Sequence, residues 1–189
     1  MGTFLTALGV VALGEIGDKT QLMALVLAAR FRAPLPLIAG MVIATVANHT
    51  LAAYAGTWIR GVVSPDIFRW AIGLSFIGLG LWSLKADSAG NSFSGLDRFG
   101  AFAASLVSFF LAEFGDKTQI ATLALAARFD SILPVIAGST LGMTLVDAVT
   151  IVFTSSLAHR MPVRALRLAA AAVFTILGVL ALTGANIEF

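Results

Sequence analysis

Seven residues, Glu15-Ile16-Gly17-Asp18-Lys19-Thr20-Gln21, return almost unchanged as Glu113-Phe114-Gly115-Asp116-Lys117-Thr118-Gln119, and both copies lie inside long apolar runs. A charged side chain at the centre of a bilayer costs roughly 2.5–3.5 kcal/mol on insertion scales, so a repeated acid, acid, lysine cluster marks a working site. The donors on offer are oxygens: the carboxylates of Glu15, Asp18, Glu113 and Asp116 and the side-chain amides of Gln21 and Gln119. Oxygen shells suit calcium, magnesium and manganese, whereas zinc and copper favour nitrogen and sulfur. On a continuous helix, residues three and four apart share a face. Glu15 and Asp18 then converge, Gln21 extends that face, and Lys19 reaches back to Glu15. The four carboxylates, set against Lys19 and Lys117, leave two negative charges, which one divalent cation or two protons neutralise. Burial disfavours a charged carboxylate and a nearby cation favours it, so metal entry drives protons off.

Other polar groups in the apolar runs carry weaker signals. Asn48 and Asp147 are possible accessory residues in ligation or proton passage, and they align with each other only if the second half holds one extra residue. His49 is either a proton relay or a histidine satisfied by a neighbouring carbonyl. His159, beside Arg160, reads as loop. Met23 and Met143 offer thioethers that would favour manganese, but a methionine in an apolar helix is usually a gap-filler. Interhelical polar glue does not account for the repeated motif, because such hydrogen bonds return only about 0.6–2 kcal/mol each.

The elements that must position these residues follow from composition. The 189 residues are 59% hydrophobic and 12% charged, with no cysteine and a net charge of +2; mean hydropathy is +0.97. Soluble chains carry about 25% charged residues, so this reads as an all-α membrane protein with short loops. The basic residues sit near span ends, which leaves no reading as a nucleic-acid binder. Absence of cysteine excludes disulfide frameworks and thiolate metal sites. Six transmembrane helices are expected: Phe4 to Ala29, Leu35 to Ile59, Ile67 to Leu84, Phe99 to Ala127, Ile132 to Ala158 and Val163 to Thr183. The first and fourth exceed the roughly 20 residues a bilayer needs, so each must tilt, bend or break, and Gly17 and Gly115 are the natural places.

At an offset of 98, Glu15 through Phe31 matches Glu113 through Phe129 at 12 of 17 positions. The match continues through Pro36 with Pro134 and Ala39-Gly40 with Ala137-Gly138. Two three-helix repeats, 1–85 and 99–189, are joined by a cytoplasmic linker, 86–98, rich in Ser and Gly. An odd number of spans per repeat makes the second enter from the opposite side, so the repeats are inverted, a recurring design of secondary transporters. Lys and Arg set the orientation. Arg30, Arg32, Lys85, Arg98, Arg160, Arg164 and Arg167 collect on one face, against Arg60, Arg69 and Arg128 on the other. The first face is read as cytoplasmic and both termini as extracytoplasmic, in a bacterial inner membrane. Trp58, Trp70 and Trp82 fall near span ends as interfacial anchors, and Gly73, Gly78 and Gly80 allow close helix packing.

The doubled E-x-G-D-[KR]-[TS] motif in a six-span inverted-repeat chain resembles the calcium/manganese and proton antiporter family, which lies near the lysine exporter superfamily. The resemblance covers essentially the whole chain, which lacks a long acidic central loop and is similar to the compact bacterial manganese-exporter form. It implies that Glu15, Asp18, Glu113 and Asp116 bind the metal and that manganese, calcium or both are exported in exchange for protons. No tightly bound cofactor is expected; the partners are divalent metal ions, protons and the lipid bilayer. No oligomeric state is read from the chain. The alternatives are an exporter of a small organic solute such as an amino acid, with the lysines holding its carboxylate, and a divalent cation channel. Gly17-Asp18 superficially matches the G-x-G-D signature of intramembrane aspartyl proteases. Glu15 stands where that signature needs glycine, so no enzyme is expected.

Overall fold

The computed structural model describes residues 1–85, 99–129, 131–153 and 163–183, and among them it is all-helical with no strand. The eight helices are α1 (Gly2–Glu15), α2 (Lys19–Phe31), α3 (Pro34–Val62), α4 (Pro65–Ser83), α5 (Gly100–Glu113), α6 (Lys117–Phe129), α7 (Ile132–Val152) and α8 (Val163–Thr183). Pro34 and Pro65 open α3 and α4 at first-turn positions, where a missing N–H costs no helical hydrogen bond. By length and composition, α3 and α7 are apolar enough to cross a membrane. The expected linker, 86–98, together with Arg98, His159 and Arg160, lies outside the described residues, as does the Arg167 side chain.

The stretches expected as the first and fourth spans are each two helices, and the break falls at the glycine of the motif. α1 ends at Glu15; Ile16 is extended (φ −64°, ψ 119°), Gly17 has φ 77°, and Asp18 N–H donates to Glu15 O at 3.0 Å. Phe114 (φ −65°, ψ 116°), Gly115 (φ 75°) and the Asp116 N–H to Glu113 O bond of 3.0 Å repeat this geometry. These are the dihedrals and the closing hydrogen bond of a type II turn, whose third residue needs positive φ and hence glycine. The break falls at the glycines the sequence pointed to, but the reading of Glu15 and Asp18 as neighbours on one helical face is corrected: they are the first and last residues of a turn.

The two repeats interlock. α1 packs along α7 and α3 along α5, while α4 lies against α8 and α3 against α7 and α6. Small residues permit the close approaches. A Cβ on Gly40 would strike Phe102 O and Ser105, and one on Gly138 would strike Phe4 O and Ala7, the same positions shifted by 98. Gly80 meets Ala171 and Thr175 of α8, and Gly178 meets Gly73 and Ile77 of α4, again equivalent at that offset. Phe76 and Phe174, equivalent to each other, stack at 6.3 Å. Rising numbers on α4 meet falling numbers on α8, so these two equivalent helices run antiparallel.

Because the offset of 98 holds at Gly40/Gly138 and at Phe76/Phe174, and α3 and α7 run unbroken past position 49 and its equivalent, no extra residue enters the second repeat there. The pairing of Asn48 with Asp147 is corrected accordingly: the residue equivalent to Asp147 is His49.

The distribution of side chains is inside-out relative to a soluble protein. Leu51, Tyr54, Trp58, Leu74, Leu81, Leu145 and Ile176 face outward, while Glu15, Asp18, Asn48, His49, Glu113, Asp116, Lys117 and Asp147 are buried. Large exposed apolar area around buried acids is the pattern of a lipid-facing shell. Trp58, Trp70 and Trp82 are exposed, each within a few residues of a helix end.

Candidate functional site

The two turns bring the motif residues together from both repeats. One carboxylate oxygen from each of Glu15, Asp18 and Glu113 lies within 4.8 Å of the others, and all three residues are buried. Asp116 is drawn toward the opposite lysine: Lys19 Nζ lies 2.8 Å from Asp116 Oδ1, and Lys117 Nζ lies 2.6 Å from Asp18 Oδ1. Lys19 was expected to reach back to Glu15 and instead crosses to the other repeat. The turn explains why, since it ends α1 at Glu15 and starts α2 at Lys19, so the i to i+4 spacing no longer stacks the two side chains. Lys117 is buried at 4% exposure and Lys19 is at 31%.

The glutamines hold the turns. Gln21 Oε1 accepts the Gly17 N–H at 2.8 Å and Gln119 Oε1 accepts the Gly115 N–H at 2.6 Å. Their amide nitrogens tie the turns to the second helix of the other repeat: Gln21 Nε2 donates to Thr150 Oγ1 at 3.1 Å and Gln119 Nε2 to Asn48 Oδ1 at 3.4 Å. Gln21 and Gln119 were expected to lend oxygens to a cation; in this conformation those oxygens take up backbone donors freed where the helix breaks. Asn48 also donates through Nδ2 to Phe110 O at 3.0 Å, which anchors α3 to α5.

Two residues of the motif carry a role that the sequence reading did not assign. Thr20 Oγ1 donates to Glu15 Oε1, and Thr118 Oγ1 donates to Glu113 Oε2 at 2.8 Å. Each threonine leaves one glutamate oxygen, Glu15 Oε2 and Glu113 Oε1, buried with no hydrogen-bond partner among the described residues. The available signal was the recurrence of threonine in both copies of the heptapeptide. Of the softer donors, Met143 Sδ accepts a hydrogen bond from Thr45 Oγ1 at 3.4 Å, where the equivalent positions 45 and 143 touch. Both nitrogens of His49 and both oxygens of Asp147 are buried without a hydrogen-bond partner among the described residues.

Buried acids gathered between two copies of one broken helix, inside an apolar shell, define an integral membrane transporter of cations. The family described as divalent cation/proton antiporter GDT1 matches the chain twice, over residues 3–91 and again over 101–188. The chain belongs to this family, and it is a transporter and not an enzyme. It is 42% identical to a Vibrio cholerae protein named "Putative manganese exporter", over 94% of this chain and 88% of that one. It is also 27% identical to GDT1-like protein 5 of Arabidopsis thaliana over 93% of each chain. To GDT1-like protein 4 of Oryza sativa subsp. indica it is 29% identical, over 83% of this chain and 64% of that one. No solved structure matches it.

Proposed function

We propose that this antiporter exports manganese, calcium or both in exchange for protons, and that the exchanged cation is held by Glu15, Asp18, Glu113 and Asp116. The observation that carries this reading is the convergence of Glu15, Asp18 and Glu113 from two repeats onto one buried point. Oxygen donors in a dry site recognise a hard divalent ion, and the same carboxylates take protons when the ion leaves. Lys19 and Lys117 pair with the two aspartates across the repeats, which leaves the glutamates as the carboxylates of the motif without an ion pair among the described residues. Gln21 and Gln119 position the turns. The manganese assignment draws on the name of the Vibrio cholerae relative.

The six-span architecture with inverted repeats 1–85 and 99–189 and a cytoplasmic linker 86–98 belongs to the same proposal. It is supported by the antiparallel packing of the equivalent helices α4 and α8, which a twofold axis lying in the membrane plane produces. Seven basic residues against three favour extracytoplasmic termini in a bacterial inner membrane. Alternating access then exposes the site to one side at a time as the repeats rock. Proteoliposomes holding the purified protein and a manganese- or calcium-sensitive dye should show metal flux that follows an imposed pH gradient and acidifies the metal-donating side. Metal flux indifferent to that gradient would make the protein a channel, and lysine flux without metal flux would make it a solute exporter.

A further inference from the structure

We propose that Asp147 is a further cation-binding carboxylate of this site, the third member of an unneutralised set with Glu15 and Glu113. The inference rests on the reading of those two glutamates as ligands and extends it to a residue outside the repeated motif. Asp147 is fully buried, and both of its oxygens lack a hydrogen-bond partner among the described residues. A carboxylate kept for structure would be satisfied by donors, since an unpaired buried charge is among the most expensive groups a fold can hold.

Register places it at the turn. α7 runs parallel to α1, with Gly138 against Phe4 and Leu8 and Gly142 against Leu8 and Ala12; further along, Thr150 accepts from Gln21. Asp147 falls between the last two marks, at the level of the break between Glu15 and Asp18. It is within electrostatic range of both Glu15 and Glu113. The two lysines make their ion pairs with Asp116 and Asp18, so among the described residues Glu15, Glu113 and Asp147 are the buried carboxylates of this site without an ion pair. The buried set therefore holds one carboxylate more than the motif alone provides. Only one repeat contributes it, because the equivalent position in the other is His49.

The test titrates Mn2+ alone into the purified full-length protein and reads free Mn2+ by its electron paramagnetic resonance signal, alongside Mn2+ flux in proteoliposomes. Asp147→Asn should weaken Mn2+ binding at least tenfold and reduce flux, with a melting temperature equal to or above that of the parent, because a carboxyl group that no donor among the described residues satisfies is replaced by an amide of the same shape. If the asparagine variant fails to fold, Asp147→Ser is read by the same criterion. Binding within twofold of the parent in Asp147→Asn, with binding lost in Glu15→Gln, overturns the role of Asp147 and leaves the glutamate site standing. Unchanged binding in both variants overturns the site itself.

Discussion

At the residue scale, the lysines of the motif act across the molecule. Each pairs with the aspartate of the other copy, so the two copies neutralise each other in part and leave the glutamates outside the ion pairs. Removing one partner of a buried pair costs about 3–5 kcal/mol because the other charge is stranded. Lys117→Met should therefore lower the melting temperature strongly, and Lys19→Met less, since Lys19 is 31% exposed and water screens the orphaned charge. Adding Asp18→Asn to Lys117→Met should recover part of the loss, as thermal unfolding in detergent would show; no recovery means that the pair contributes packing and not charge. Glu15→Gln and Glu113→Gln keep the shape and the threonine hydrogen bond while removing the charge. Each should abolish metal-coupled proton flux in a protein that still elutes as a single folded species. Full flux in either variant would take that glutamate out of the site.

At the element scale, the motif is a turn that ends one helix and begins the next. Glycine at its third position is a backbone requirement: Gly17 and Gly115 have φ of 77° and 75°, and a Cβ on Gly115 would meet nothing within 4 Å. The penalty for Gly115→Ala is then conformational alone, about 1–2 kcal/mol, and Gly115→Asn should cost less because asparagine tolerates left-handed backbone. Melting temperatures should fall in the order glycine, asparagine, alanine; equal stability of all three would mean that the turn relaxes to another geometry. The breaks were legible in the sequence because 26 or more residues of apolar helix overrun a bilayer and glycine sits beside the acids. The placement of Glu15 and Asp18 was not legible, since a helical spacing of three and a turn of four residues look the same in the sequence.

At the scale of the whole molecule, the repeats interlock so that α1 lies on α7 and α5 on α3. The proposed inversion makes a direct prediction. Leu35 and Leu133 are equivalent, stand at the starts of α3 and α7, and are 79% and 77% exposed. The chain has no cysteine, so Leu35→Cys and Leu133→Cys can each be labelled singly with a membrane-impermeant maleimide. The two should react from opposite sides of the membrane; reaction from the same side would mean that the repeats are parallel.

The sequence by itself determined the helical segments, the repeat, the places where two helices break, and the acids that had to be explained. Those follow from local physics: the length of apolar runs, the cost of charge in them, and the freedom of glycine. Only the tertiary structure decided that Lys19 faces Asp116, that Lys117 faces Asp18, and that the glutamine oxygens serve the turns. It also decided that Asp147 is the counterpart of His49 and is buried within electrostatic range of the glutamates. Those are facts of docking, set when small residues at Gly40, Gly80, Gly138 and Gly178 let helices from different repeats close on one another. No pattern within one helix specifies which charge from the other half will meet it.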